Sequence, residues 1–252
     1  MAEPGIHFLD AHGPEGVRLY AIGDVHGRLD LLAAMHRRIE SELEWKPVRD
    51  WRVIHLGDYV DRGPESKGVI DFLIAARERD PRHLMLAGNH DIGFLDFLRT
   101  PEPEGLFMRF GGVQTALSYG VSLTADASWF GKMETMRRGH QALLEAMPPG
   151  HVDFLRSLPA MVCSDQFVFV HAGIRPGIAL EAQDEGDLLN IREEFFQAAH
   201  RLDRWVVHGH TIVDVPTLDG RRIDIDTGAF QSGRLTALRI VGKYGRLLSS
   251  SD

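Results

Sequence analysis

Five times along this 252-residue chain, an apolar run stops at small residues and the side chains that hold metal ions. The segments are Ile22-Gly23-Asp24-Val25-His26-Gly27, Leu56-Gly57-Asp58, Ala87-Gly88-Asn89-His90-Asp91, Val170-His171-Ala172-Gly173 and Val207-His208-Gly209-His210-Thr211. In an open α/β sheet, ligands bind in the crevice at the carboxyl ends of the strands. Five such runs would bring their polar ends to one edge, where the glycines permit sharp turns and close backbone approach.

The intervening segments have helical periodicity. Leu29, Leu32, Met35, Ile39 and Leu43 recur at steps of three and four, which predicts a helix over 29–43. Val69, Ile70, Leu73 and Ala76 predict a second over 65–79, with Pro64 suited to its first turn. Three strand–loop–helix units within a hundred residues indicate an α/β layout with parallel pairing. A short helix is expected over 92–98.

From 105 to 158 the strand signals give way to helix-like pieces such as 132–147, broken by Pro148-Pro149-Gly150. This stretch is expected to be a helical insert or cap beside the site, and a source of substrate specificity. The sheet pattern resumes at Met161. A hairpin turning at Ser164-Asp165 is expected between 160–163 and 166–170, then a helix over 186–200 and a strand over 204–207. Late antiparallel strands are expected at 222–225 and 235–241, joined through 227–233. Residues 1–16 look like a lead-in with an edge strand near 6–9, and the tail after Leu248 is expected to fray. The whole of 1–252 is thus expected to be one domain with a helical insert.

Asp24, His26, Asp58, Asn89, His171 and His210 supply carboxylate, imidazole and amide donors without a thiolate. Such mixed N/O sets suit Mn, Zn or Fe(II). Six donors exceed what one tetrahedral ion needs, and a carboxylate bridging two ions accounts for the surplus. Two ions roughly 3.5–4 Å apart can bind the attacking and leaving oxygens of an in-line displacement. Spacing alone leaves His208 as an alternative to His210.

Composition limits the rest. Cys163 is the single cysteine, so an intrachain disulfide and a cysteine-based zinc or iron–sulfur site are excluded. A reducing compartment, the cytoplasm by default, is expected. The N-terminus does not read as a signal peptide, and no stretch approaches the ~20 apolar residues of a bilayer span, so no membrane is expected. The formal net charge of -8 and the lack of a basic–aromatic stripe argue against nucleic acid.

The ordered pieces Gly23-Asp24-Val25-His26-Gly27, Gly57-Asp58-Tyr59-Val60-Asp61-Arg62-Gly63, Gly88-Asn89-His90-Asp91, His171-Ala172-Gly173 and His208-Gly209-His210-Thr211 resemble the PPP-type serine/threonine phosphatases. Those belong to the calcineurin-like metallophosphoesterases; His90-Asp91 in place of a following glutamate resembles bacterial members. The resemblance runs from about Leu19 to Val241. It implies an α/β fold with central mixed β-sheets in a sandwich, flanked by helices. It implies that Asp24, His26 and Asp58 hold a first metal and that Asn89, His171 and His210 complete a second, with Asp58 bridging; it selects His210 over His208. His90 would be the general acid and Asp61 its orienting partner. Arg62 and Arg192 would clamp the phosphoryl group, with Asn89 and His90 also facing it. Two divalent ions are implied, manganese in vitro, with iron or zinc also suited. The family reaction is direct attack by a metal-bridging hydroxide.

Two positions depart from the protein-phosphatase pattern. Ala87 stands where many members have arginine, so one phosphate clamp is missing or comes from elsewhere, and Asn190 stands where many have tryptophan. Bacterial symmetric dinucleoside-tetraphosphate hydrolases share much of the layout but commonly carry alanine at the position of Asp61. The intact Asp61-Arg62-Gly63 therefore favours a phosphomonoesterase acting on phosphoserine, phosphothreonine or phosphotyrosine in a protein, or on a small phosphoester. A symmetric dinucleoside-tetraphosphate (nucleotide) hydrolase and a non-catalytic metal-binding scaffold are the alternatives.

Overall fold

The computed structural model describes residues 5–123, 129–164 and 166–251. The strands are β1 (Ile6–His7), β2 (Val17–Ile22), β3 (Asp50–His55), β4 (His83–Met85), β5 (Met161–Ser164), β6 (Phe167–Val170), β7 (Trp205–His208), β8 (Thr217–Asp219), β9 (Arg222–Asp224), β10 (Thr236–Val241) and β11 (Tyr244–Ser249). The helices are α1 (Leu29–Trp45), α2 (Ser66–Arg79), α3 (Asn89–Arg99), α4 (Leu106–Arg109), α5 (Gly112–Ser118), α6 (Trp129–Ala146), α7 (Pro149–Arg156), α8 (Glu185–Asn190), α9 (Glu193–Gln197) and α10 (Ala229–Ser232).

The strands form two mixed sheets, ordered β1-β11-β10-β2-β3-β4 and β5-β6-β7-β9-β8. Side chains alternate between the faces of a strand, and here both faces are covered, so residues 19–22 of β2 and the whole of β6 read as unbroken apolar runs. Leu19, Ala21 and Ile54 of the first sheet meet Phe167, Phe169 and Val207 of the second in the layer between them. Tyr20, Ile22 and Val53 point the other way, into a core shared with Leu32 and Met35 of α1 and Val69 and Leu73 of α2. Val168, Val170 and Val206 face outward under Leu188 and Phe195. The result is an α/β sandwich: helices, sheet, sheet, helices. β2, β3 and β4 run parallel, as do β6, β7 and β9. Their carboxyl ends therefore emerge along one edge.

Several expectations change. The helix expected over 186–200 breaks at Ile191 and Arg192, giving α8 and α9. The Leu188 carbonyl, which a continuing helix would offer to the N–H four residues on, instead accepts from the N–H of Ala172. The strands expected to pair at 222–225 and 235–241 lie in different sheets: β9 runs parallel to β7, while β10 pairs with β2 and β11. Each mixes buried apolar residues with charged ones, Arg222 and Asp224 in β9 and Arg239 in β10, and neither pattern names a partner strand. Of the tail after Leu248, Ser249 closes β11, Ser250 and Ser251 form a turn, and Asp252 lies outside the described residues. Of the expected turn at Ser164-Asp165, Asp165 lies outside the described residues, as do residues 124–128 of the stretch 105–158; β5 and β6 on either side of the turn pair antiparallel. No helix among the described residues is long and apolar enough to cross a membrane.

Candidate active site

The loop after each parallel strand delivers its polar residues to the shared edge. Asp24 and His26 follow β2, Asp58 follows β3, Asn89 and His90 open α3 after β4, His171 follows β6 and His210 follows β7. Among the described residues, the non-glycine positions with positive φ are His26, Asp58, Asp61, Arg62 and His210, at 44°, 53°, 69°, 66° and 66°. Each belongs to this edge. A left-handed backbone without glycine costs on the order of 1–3 kcal/mol and persists only where its surroundings over-determine it. Glycines let the loops close: a Cβ on Gly88 would lie 2.1 Å from Asp58 Oδ1, and one on Gly209 2.0 Å from Asp24 Oδ1.

His26 Nδ1 donates to the Val60 carbonyl (2.8 Å), which leaves the Nε2 lone pair facing Asp58 Oδ2 at 3.3 Å. That nitrogen is buried and has no hydrogen-bond partner. His171 Nδ1 donates to the Leu56 carbonyl (2.9 Å), so its Nε2 is also a bare acceptor. It lies 2.9 Å from Asn89 Oδ1, 3.2 Å from His210 Nδ1 and 3.5 Å from Asp58 Oδ1, and His210 Nδ1 lies 3.0 Å from the same Asn89 oxygen. Burial lowers the pKa of His171 to about 3 and that of His210 to about 2, so both rings are neutral. Lone pairs of His171 and Asn89 aimed at one point repel one another unless a cation lies between. These donors fit divalent ions. Asp58 belongs to both donor clusters at this edge, His26–Asp58–His90 and Asp24–Asp58–His171.

His90 has both ring nitrogens engaged. Nδ1 meets Asp61 Oδ2 at 2.7 Å, and Arg62 Nη2 donates to Nε2 at 3.0 Å. Burial, then the Arg62 charge, pulls the His90 pKa down against the attraction of Asp58. Thr115 locks Asp61 from behind: its hydroxyl donates to Asp61 Oδ1 and accepts from the Asp61 N–H, both at 2.8 Å. Arg62 stacks on Phe230 at 4.8 Å, and the exposed Phe110 ring lies 6.4 Å from His90. Arg192 is exposed at the start of α9, close enough for its charge to depress the pKa of His171 and His210. His208, the alternative to His210, turns away into a buried network, where Arg222 Nη1 donates to its Nε2 at 3.3 Å.

Sequence reasoning missed three supports. Asp226 follows β9, where Ile223-Asp224-Ile225-Asp226-Thr227-Gly228 repeats the grammar of the other five segments; it is buried beside Asp24. Thr115 carries no signal in a single sequence. Asp91 is buried and accepts the N–H groups of Asp58 (2.9 Å), Tyr59 (2.9 Å) and Gly88 (3.0 Å), tying two loops together. Leaving a buried N–H unpaired costs about 1–3 kcal/mol. Asp91→Ala is therefore expected to lower unfolding free energy by about 3 kcal/mol or more, read by denaturant titration of the metal-free protein.

Burial, then repulsion from Asp226 and Asp58, pushes Asp24 well above the usual carboxylate range, and burial lifts Asp226 to about 6. A raised pKa means the empty cluster keeps protons until the pH climbs past that value. An entering cation must expel them, so metal affinity should rise with pH through about 6. Calorimetric metal titrations near pH 6, in buffers of different ionisation enthalpy, are expected to show net proton release.

The calcineurin-like phosphoesterase family profile matches residues 17–214. A bis(5'-nucleosyl)-tetraphosphatase PrpE, designated asymmetrical, from Geobacillus thermodenitrificans is 28% identical over 241 residues, spanning 86% of this chain and 88% of its own. A solved structure described as a candidate diadenosine tetraphosphatase superposes with TM-score 0.64 at 18% identity, over 94% of this chain and 95% of the other. A protein serine/threonine phosphatase from Saccharomyces cerevisiae superposes at 0.60 with 13% identity, over 93% and 79%, a likeness of fold alone. These findings overturn the expectation of a protein phosphatase, because the sequence relatives are named as nucleotide polyphosphatases. The physical reason is that the motifs behind that expectation carry residue types suited to any phosphoryl group, which an ester and an anhydride share. None of the residues read from the motifs reports on the leaving group.

Proposed function

The chain belongs to the calcineurin-like phosphoesterases, and on that premise we propose that it hydrolyses dinucleoside polyphosphates at a phosphoanhydride bond, with two bound divalent ions. The observation that carries the substrate class is the near-full-length match to the asymmetrical tetraphosphatase. The Phe110 and Phe230 rings beside His90 and Arg62 support it. A nucleobase stacked on an aromatic ring gains about 1–3 kcal/mol, and a phosphorylated serine side chain has no base to stack.

In this reading Asp24, His26 and Asp58 would hold one ion, and Asn89, His171 and His210, with Asp58, would hold the other. The donor set suits manganese, zinc or iron. When bound, the ions supply Lewis-acid polarisation of the phosphoryl oxygens and acidify a water for attack. Arg62 and Arg192 clamp the polyphosphate oxygens, which a guanidinium fork matches in shape. Binding phosphate draws Arg62 off His90 Nε2, leaving that nitrogen free to carry a proton. Asp61, held by Thr115, orients the ring through Nδ1 and favours its protonated form. His90 then hands the Nε2 proton to the departing phosphate oxygen.

Diadenosine tetraphosphate, a phosphopeptide and an aryl phosphate compared under one metal condition test this. Turnover of the tetraphosphate is expected to exceed the others by orders of magnitude, with ATP and AMP as products. Faster release of phosphate from the peptide would overturn the substrate class, and two ADP would overturn the asymmetrical cut.

A further inference from the structure

Three buried histidines play no part in the site above. His36 comes from α1, His55 from the end of β3 and His83 from the start of β4, and their exposures are 3%, 0% and 6%. They gather on the helix-covered face of the first sheet, between Phe72 and Trp51. One ring nitrogen of each lies within 4.8 Å of one on each of the others. His36 Nε2 and His55 Nε2 face each other at 3.3 Å, and the His36 ring centroid is 5.1 Å from those of both His55 and His83. His55 Nδ1 and His83 Nδ1 are buried without a hydrogen-bond partner.

We propose that His36, His55 and His83 form a binding site for a further transition-metal ion of the zinc class, separate from the pair at the strand ends. Zinc binds imidazole nitrogen at ~2.0–2.1 Å in tetrahedral geometry, which sets two nitrogens roughly 3.3 Å apart. The His36–His55 separation meets that value. The looser His83 nitrogen closes by rotation about its last side-chain bond, which is broad for histidine. Three histidines with a fourth position open to water are a complete zinc shell.

Burial keeps all three rings neutral, holding His36 at about 3 and His83 at about 4, with His55 lowered as well. Their lone pairs are therefore available without competition from protons. The charges facing the cluster are Arg79, Arg82 and Asp80, the last held by Arg82. Packing alone does not account for the cluster, because leucines would fill the same space without two unpartnered nitrogens. An ion here would pin α1 to two parallel strands.

The full chain, stripped by chelation, is equilibrated with Zn2+, freed of unbound metal and assayed for zinc per chain. About three equivalents are expected in the wild type. His36→Leu and His83→Ala should each lose one while keeping hydrolysis at saturating Mn2+, and Asp58→Asn should keep one. Titration of the wild type with Co2+ gives a second readout that does not depend on variants folding: strong visible absorption from a tetrahedral site. Two equivalents in the wild type, unchanged zinc in both histidine variants, or no tetrahedral Co2+ band would overturn the proposal.

Discussion

Asparagine in place of Asp58 is expected to reduce hydrolysis by about 1,000-fold or more and to empty the strand-end site of both ions together. Asp58 lies 3.3 Å from His26 on one side and 3.5 Å from His171 on the other, and its Oδ1 also accepts the His90 N–H at 2.9 Å. Among the described residues it is the one carboxylate common to both donor clusters at this edge. An amide keeps the shape but removes the charge and offers one oxygen in place of two. Lewis-acid stabilisation of the transition state is worth several kcal/mol, and each ~1.4 kcal/mol is a factor of ten in rate. Metal content and turnover measured on one preparation check this. Loss of a single ion with most activity kept would mean that Asp58 serves one ion and does not bridge.

His90→Asn should behave differently, lowering kcat while leaving metal content unchanged. Losing a general acid costs about 100- to 10,000-fold. For a polyphosphate substrate the loss is expected near the lower end, because a departing phosphate is a weaker base than an alkoxide and needs its proton less. An alkyl phosphate substrate should suffer the larger loss. Equal turnover in wild type and variant on both substrates would remove His90 from the reaction. The variant also leaves Asp61 without its 2.7 Å partner, and Thr115 should then hold that carboxylate in place.

The metal-type donors were legible because their chemistry is repeated: each sits where an apolar strand ends, so one strand's signal reinforces the next. The strands themselves were legible because both faces of residues 19–22 and of Phe167–Val170 are buried, leaving unbroken apolar runs. The composition of a strand does not say which strand lies beside it, and β9 and β10 were placed together although they lie in different sheets. Asp226 shared the grammar but follows a short strand of three residues, too brief to stand out. Thr115 acts through a contact 54 residues distant in sequence, and local pattern carries no trace of it. Substrate class was the largest misreading, since Asp61 and Arg62 both contact His90 and neither carries a signal for the group that a phosphoryl leaves.

Crystals of the protein loaded with Mn2+ and measured for anomalous scattering test the two-ion centre most directly. Two peaks are expected at the strand ends, roughly 3.5–4 Å apart, both within bonding distance of Asp58, one beside Asp24 and His26 and the other beside Asn89, His171 and His210. A lone peak there, or a pair that Asp58 does not touch, would contradict the centre on which the proposed hydrolysis depends.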